Sequence, residues 1–198
     1  MKSRRFLVQP GSLSLGAELA LAPEEASHAA KVLRLKPGDE VTLLDGAGLK
    51  ALAQITALDK RSAQCRVLEI EAPLRPKPKL VMCPGLAKNP AMDLMAVKLT
   101  ELMAHEARPF VSSRSVPKLK DPEARLQRWR KLSSQALKQC GAAWPPEWSA
   151  PIDLSQILTQ PPKDALRLML YEDAEDAPGL AQALGKRDEL NQVWILVG

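Results

Sequence analysis

The sequence predicts an α/β protein built as a small N-terminal β-barrel followed by a parallel α/β layer. Three observations predict it. Short alternating segments separated by turn signals fill residues 1–73. A stretch with three prolines and three cations, APLRPKPK (residues 72–79), cannot hold a strand ladder and reads as a linker. Beyond it, apolar strands alternate with helical patterns, which is the signature of βαβ units. The expected division is therefore 1–73 and 74–198.

In the first region the expected strands are Phe6–Val8, Glu18–Ala22, Glu40–Asp45, Ala51–Asp59 and Cys65–Glu71. Pro10-Gly11, Pro37-Gly38, Gly46-Ala47-Gly48 and Asp59-Lys60 mark the turns between them. One or two helical turns are expected over Glu24–Leu35. Pro23 suits the first turn, and Ala29, Val32 and Leu33 have apolar helical spacing.

The second region opens with an apolar strand, Leu80–Leu86. Asn89 is placed as the cap of a helix with Pro90 at its first position. That helix is expected from Ala91 to Ala107, with Leu94, Met95, Leu99, Leu102 and Met103 on its apolar face. Arg108–Ser112 reads as the next strand. A second helix opens at Asp121-Pro122 and ends at Gly141, with Arg125, Arg128, Arg130, Lys131 and Lys138 on its polar side. Leu166–Tyr171 is a third strand, Pro178–Leu184 a short helix, and VWILVG (residues 193–198) a fourth, buried strand. In open parallel sheets, ligands sit beyond the carboxyl ends of the strands. The sequence ends at that point, so the expected site lies at its last residues.

Charge is unevenly distributed. Residues 1–73 carry ten basic and nine acidic side chains, residues 74–140 fourteen and five, and residues 141–198 four and nine. A basic middle block reads as a polyanion-facing surface or as an ordinary solvated helix face. Cys65, Cys83 and Cys140 lack metal or redox spacing. No apolar run reaches membrane-spanning length, and no h-region follows the basic N-terminus, so a cytoplasmic protein with reduced thiols is expected.

Common catalytic motifs are absent. There is no phosphate-binding glycine loop, no HExxH and no nucleophile elbow. His28 and His105 read as surface or packing histidines rather than metal ligands, so no metal is expected. Cys140, at a helix C-terminus, is poorly placed to be a thiolate. Three features remain. Lys2, Arg4 and Arg5 form a flexible tail or a phosphate contact. The loop Ser112–Lys120, with Arg114 and Lys118, suits phosphate or a base edge, or is a solvated crossover. Tyr171, Glu172 and Gly198 lie at two strand ends, a setting that suits an adenosine-like ligand if those strands are neighbours.

Several blocks carry a family resemblance: MKSRRFLV at the start, HAAKVLRLKPGDEVTLLDGAG (His28–Gly48), AKNPAMDLMAVKLTEL (Ala87–Leu102), SSRSV (Ser112–Val116), RWRKLSSQALKQCG (Arg128–Gly141) and WILVG. Together, in this order, they resemble the RsmE family of 16S ribosomal RNA uridine-N3 methyltransferases. The resemblance implies a PUA-like barrel for RNA and a SPOUT domain whose trefoil knot holds S-adenosylmethionine, working as a homodimer. It also implies a partner in 16S ribosomal RNA or the small ribosomal subunit. Tyr171, Glu172, Val197 and Gly198 would contact the cofactor, and Arg4, Arg5, Arg34, Arg114 and Lys118 the RNA; no catalytic side chain is assigned.

Two departures accompany it. The family's last strand continues into a Pro-Glu-Gly-Gly turn and a knot segment, which are expected to be missing here, with weak cofactor binding as the consequence. Lys138-Gln139 and Gly141-Ala142 stand where the family often shows Glu-Gln and then Gly-Arg. A non-catalytic RNA-binding module and a fragment of a longer methyltransferase are the rival readings.

Overall fold

The structure is a computed structural model that describes residues 4–113, 121–170, 179–185 and 190–198. It divides into two units, Met1–Arg75 with Ser134–Pro145, and Pro76–Ser133 with Pro146–Gly198.

The first unit contains β1 (Arg5–Leu7), β2 (Glu18–Ala20), α1 (Pro23–Ser27), a π-helical turn (His28–Leu33), β3 (Glu40–Leu44), β4 (Lys50–Leu58) and β5 (Ala63–Glu71). The strands form one mixed sheet in the order β1-β3-β4-β5-β2, with β1 parallel to β3 and the other pairs antiparallel. Register shifts between β4 and β5 at Leu52/Ala53 and Ile55/Ala57 bend the ribbon, giving a half-barrel. Its inner face is the core, built on Phe6, Val41, Leu43, Ile55 and Val67. The alternation in β3 and β4 puts every second residue inside. The helical segment expected over Glu24–Leu35 is thus α at its start and π in its second half. Arg34 closes it in the left-handed conformation with φ of 54°.

The turn after β3 is held by Asp45, whose Oδ1 accepts from the backbone N–H groups of Ala47, Gly48 and Leu49 at 2.8, 3.1 and 2.9 Å. Gly48 is required there. Its φ is 125°, and a Cβ would lie 2.7 Å from Nε1 of Trp144.

The second unit begins with β6 (Lys79–Pro84) and α2 (Asn89–Glu101), followed by β7 (Glu106–Ala107) and β8 (Phe110–Val111). Then come α3 (Pro122–Cys140), whose last turns belong to the first unit, β9 (Glu147–Trp148), β10 (Ile152–Asp153) and α4 (Leu154–Ile157). β11 (Leu166–Leu170), α5 (Leu180–Leu184) and β12 (Gln192–Val197) complete it. The sheet order is β11-β12-β6-β7-β9, parallel throughout, and β10 pairs with β8 alone.

Both faces of this sheet are covered. Along β6, Leu80 and Met82 face one cluster with Met92, Ala96, Leu99 and Trp129. Val81 and Cys83 face the other with Ile157, Trp194 and Leu196. Such two-sided burial is why the strands read as continuous apolar runs.

Several expectations need correction. Lys88, not Asn89, is the N-cap of α2, and Asn89 is its first helical residue. The helix stops at Glu101 rather than Ala107. Met103 adopts φ of 55°, with Ala104 N–H on the Leu99 carbonyl and Met103 N–H on the Thr100 carbonyl, both at 2.9–3.1 Å. This is a Schellman closure with methionine where glycine is usual. It turns the chain so that His105–Ala107 enter the sheet. Leu102 and Met103 are therefore exposed rather than core, and Leu94, inside the helix, is exposed as well; Leu102 and Met103 line a shallow apolar cavity with Leu80, Leu168 and Val193. Of the strand expected over Arg108–Ser112 only β8 forms; Pro109 separates it from β7, which precedes the expected range. β9 and β10, two residues each, were not expected, being too short for any periodic pattern.

α3 starts and ends where the sequence places it. Asp121 Oδ1 accepts from Ala124 N–H at 2.9 Å, and Gly141 follows with φ of 74°.

Candidate functional site

The sheet of the second unit has a topological switch point. From β6 the chain winds outward through β7 to β9. It then crosses to the other edge and returns through β11 to β12, which lies against β6. Crevices outside the carboxyl ends of strands at such a point are where open α/β sheets hold ligands. The register places Val197 opposite Pro84, and Leu170 opposite Val197. Gly85 N–H donates to the Val197 carbonyl at 2.6 Å and Leu86 N–H to the Phe110 carbonyl at 2.7 Å. A Cβ on Gly85 would lie 3.1 Å from Gly198 Cα, and one on Gly198 would lie 3.1 Å from the Phe110 ring. The strand ends thus meet backbone to backbone, with Met169 and Leu170 exposed beside them.

Among the sequence-predicted cofactor residues, Val197 and Gly198 sit at this switch point. Tyr171 and Glu172 lie outside the described residues; they follow directly on β11, which neighbours β12. Gly85 and Phe110 were missed. The dipeptide Pro84-Gly85 closing an apolar strand was the available signal.

Toward the amino end of β6, away from the switch point, lies a charged network. Glu106, buried on β7, pairs with Lys79 and with Arg108, the latter at 2.6 Å. Arg108 also donates to Gln160 Oε1 at 2.7 Å and lies 5.2 Å from the Trp194 ring centroid. Burial pushes the Glu106 carboxyl up, but the bonds from Lys79 and Arg108 outweigh it and hold its pKa below the ordinary value. Burial raises Cys65 to about 11 and Cys83 to about 12, so neither is a thiolate at neutral pH. His105 is buried, its Nδ1 accepting from Leu80 N–H at 3.2 Å. Among the described residues no group of three His, Cys, Asp or Glu side chains is placed to hold a metal. No helix among them is long and apolar enough to cross a membrane.

The first unit carries a groove of about 880 Å³ over the outer face of the half-barrel, lined by Arg4, Arg5, His28, Leu33, Thr42 and Leu52 among others. Two predicted RNA residues meet here. Arg4 is exposed and pairs with Asp39 at 3.5 Å. Arg5 Nη1 donates to the carbonyls of Lys138 and Gln139 at 3.2 and 2.8 Å, so its charge caps the C-terminus of α3. Arg34 is exposed one residue beyond Leu33. Arg114 and Lys118 lie outside the described residues.

The cations of α3 are partly committed to the protein. Arg128 forms a bidentate pair with Asp93 at 2.8 and 2.6 Å, which lowers the Asp93 pKa. Lys138 pairs with Glu25 at 2.7 Å.

A half-barrel unit and a parallel sheet whose switch point is lined by glycine backbone define a two-unit α/β protein. The chain belongs to the RNA methyltransferase domain family, whose model matches residues 75–198, and the RNA methyltransferase PUA domain matches residues 21–68. This is the RsmE-type lineage that the sequence blocks resemble.

Ribosomal RNA small subunit methyltransferase E of Bacillus subtilis is 32% identical over 123 residues, covering 61% of this chain and 48% of the relative. The Synechocystis protein of the same name is 28% identical over 154 residues, covering 78% and 50%. The chain spans about half the length of these curated relatives. Among solved structures, the Neisseria gonorrhoeae ribosomal RNA small subunit methyltransferase E bound to S-adenosyl methionine superposes with a TM-score of 0.81 at 24% identity. It covers 98% of this chain and 79% of that one. A Legionella pneumophila methyltransferase in complex with the same cofactor gives 0.83 at 24% identity, covering 100% and 80%. These likenesses establish the fold.

Proposed function

We propose that the chain belongs to an enzyme that methylates a uridine N3 of 16S ribosomal RNA with S-adenosylmethionine as donor. The observation that carries this reading is the bare switch point, where Gly85, Val197 and Gly198 present backbone at the carboxyl ends of β6 and β12. Two solved relatives of the same fold hold S-adenosylmethionine.

The residues present fit an adenosine group. Exposed Leu170 and Met169 offer apolar surface for a base, and small residues leave main-chain polar groups reachable for its edge. Val197 and Gly198 would hold the cofactor, with Tyr171 and Glu172 following β11. Bound there, the cofactor would supply an activated methyl group. The protein's part is then positioning and exclusion of water, which by itself lowers a barrier substantially. No described residue is needed as a nucleophile, in keeping with the protonated Cys65 and Cys83. Arg4, Arg5 and Arg34 on the first unit, with Arg114 and Lys118, would hold RNA through phosphates. The functional unit is proposed to be a cytoplasmic homodimer acting on the small ribosomal subunit.

Isothermal calorimetry with S-adenosylmethionine on the protein expressed from its natural reading frame tests the cofactor assignment. Saturable one-site binding is expected. Absence of binding at millimolar cofactor would overturn it.

A further inference from the structure

The groove on the first unit is more than a cationic patch, because it is chemically polarised. Residues opposite one another across the strands form a row on the outer face: Arg5 beside Thr42, Thr42 beside Leu52, and Leu52 beside Glu69. At one end stand Arg4 and the exposed His28; the floor is Leu33 and Leu52; the carboxylate of Glu40 and the hydroxyl of Thr42 project from the same side of β3. A second concavity sharing Thr42 and Leu52 continues the groove toward Lys50, Glu69 and Glu71. Three carboxylates elsewhere on this unit are paired with cations: Asp39 with Arg4, Glu18 with Arg66, Glu25 with Lys138. Among the described residues Glu40 forms no ion pair, although it is exposed beside a cationic rim.

We propose that this groove holds one unpaired nucleotide of the RNA, and that Glu40 selects a base bearing an amino group. The proposal rests on the RNA-modifying reading above and names the feature of the RNA that the first unit reads. Arg4 would meet the phosphate. His28 and the aliphatic floor would pack on the base faces, as proteins reading single-stranded RNA do. An ionised carboxylate only accepts hydrogen bonds, whereas the Thr42 hydroxyl both donates and accepts. Cytosine and adenine each present an amino donor beside a ring-nitrogen acceptor, matching the carboxylate and hydroxyl together. Guanine presents two adjacent donors that a carboxylate takes in bidentate fashion. Uracil sets its single ring donor between two carbonyls, which a carboxylate repels. A duplex is excluded because pairing occupies the edge that the groove would read.

The test is fluorescence anisotropy at low salt on the 198-residue chain, using labelled U7 and heptamers with a single central cytidine, adenosine or guanosine between uridines. The three substituted heptamers should bind at least about fivefold tighter than U7, the lower end of what one good base contact discriminates. Glu40→Ala, at an exposed strand position, should erase that preference while leaving U7 affinity unreduced. Arg4→Ala should weaken all four heptamers alike. Equal affinity for all four, no binding of any, or a preference that survives Glu40→Ala would overturn the proposal. Methyl transfer to the small subunit is a separate readout. Its failure with the heptamer preference intact would remove the proposed function and leave the groove assignment standing.

Discussion

A methyl group placed on Gly85 would lie 3.1 Å from the Cα of Gly198, so the carboxyl ends of β6 and β12 touch through their backbones. Gly85 N–H already donates to the Val197 carbonyl at 2.6 Å, which leaves no room for the strands to part without losing that bond. A larger side chain at Gly85 should therefore damage the switch point before it damages the fold. Gly85→Val is expected to cost about 1–3 kcal/mol of stability, as overpacking does. It should also abolish S-adenosylmethionine binding measured by calorimetry on the folded variant. Unchanged affinity would show that the cofactor does not use these strand ends.

Ser133 ties α3 to two neighbours. Its buried Oγ accepts from Trp148 Nε1 at 2.9 Å and donates to the Ala96 carbonyl at 3.2 Å. Ser133→Ala leaves the indole N–H without an acceptor in a cluster where Trp129 and Trp148 pack tilted at 38° with centroids 5.0 Å apart. A loss of about 1–3 kcal/mol is expected in urea unfolding. A loss below about 0.5 kcal/mol would mean that the bridge is not maintained.

The Glu106 network should make stability acid-sensitive. The carboxyl pKa is lowered in the folded protein, so its contribution is fully present above the unfolded value of about 4.3. It is lost as pH falls through the lower folded value. Glu106→Gln should cost about 2 kcal/mol at neutral pH by leaving Lys79 and Arg108 without their anion. It should also flatten the decline of the urea midpoint below about pH 4. Parallel pH profiles for the two proteins would contradict the assignment.

Met103 occupies the left-handed position of the Schellman closure. That conformation costs a non-glycine residue about 1–2 kcal/mol, partly offset by glycine's greater freedom when unfolded. Met103→Gly is expected to stabilise the protein by up to about 1 kcal/mol in thermal or chemical unfolding. Clear destabilisation would show that the exposed methionine side chain packs more than its 47% exposure suggests.

These positions also show what could be read from the chain. β4, β5 and β12 were legible because alternation or a continuous apolar run carries their burial, and α3 because Asp121 and Gly141 punctuate it. The end of α2 was not, because its stop signal is a methionine in a glycine conformation, and helix propensity continues past it. β7, β9 and β10 are two residues long and owe their pairing entirely to neighbours. Within the candidate site, the strand-end rule pointed to Gly198 and the family resemblance added Val197, and both lie at the switch point. Gly85 and Phe110 were not found, because their closeness to Gly198 is a product of strand order that no local pattern encodes. Arg5 carries charge in the sequence, but only the fold shows its Nη1 also donating to the carbonyls of Lys138 and Gln139.

RNA binding by Arg4 and its companions should weaken steeply with salt, since each phosphate contact releases counterions. Affinity for a small-subunit ribosomal RNA hairpin, measured between 50 and roughly 200 mM salt as in counterion analysis, should fall log-linearly. A flat response would mean that the basic residues do not meet phosphate.

The most direct test of the central claim is methyl transfer itself. The protein expressed from its natural reading frame should be incubated with small ribosomal subunits lacking the modification and with methyl-labelled S-adenosylmethionine, and the digested 16S ribosomal RNA analysed by mass spectrometry. The account predicts label in 3-methyluridine, lost in Gly85→Val. Absence of label, or label confined to another nucleoside, would contradict it.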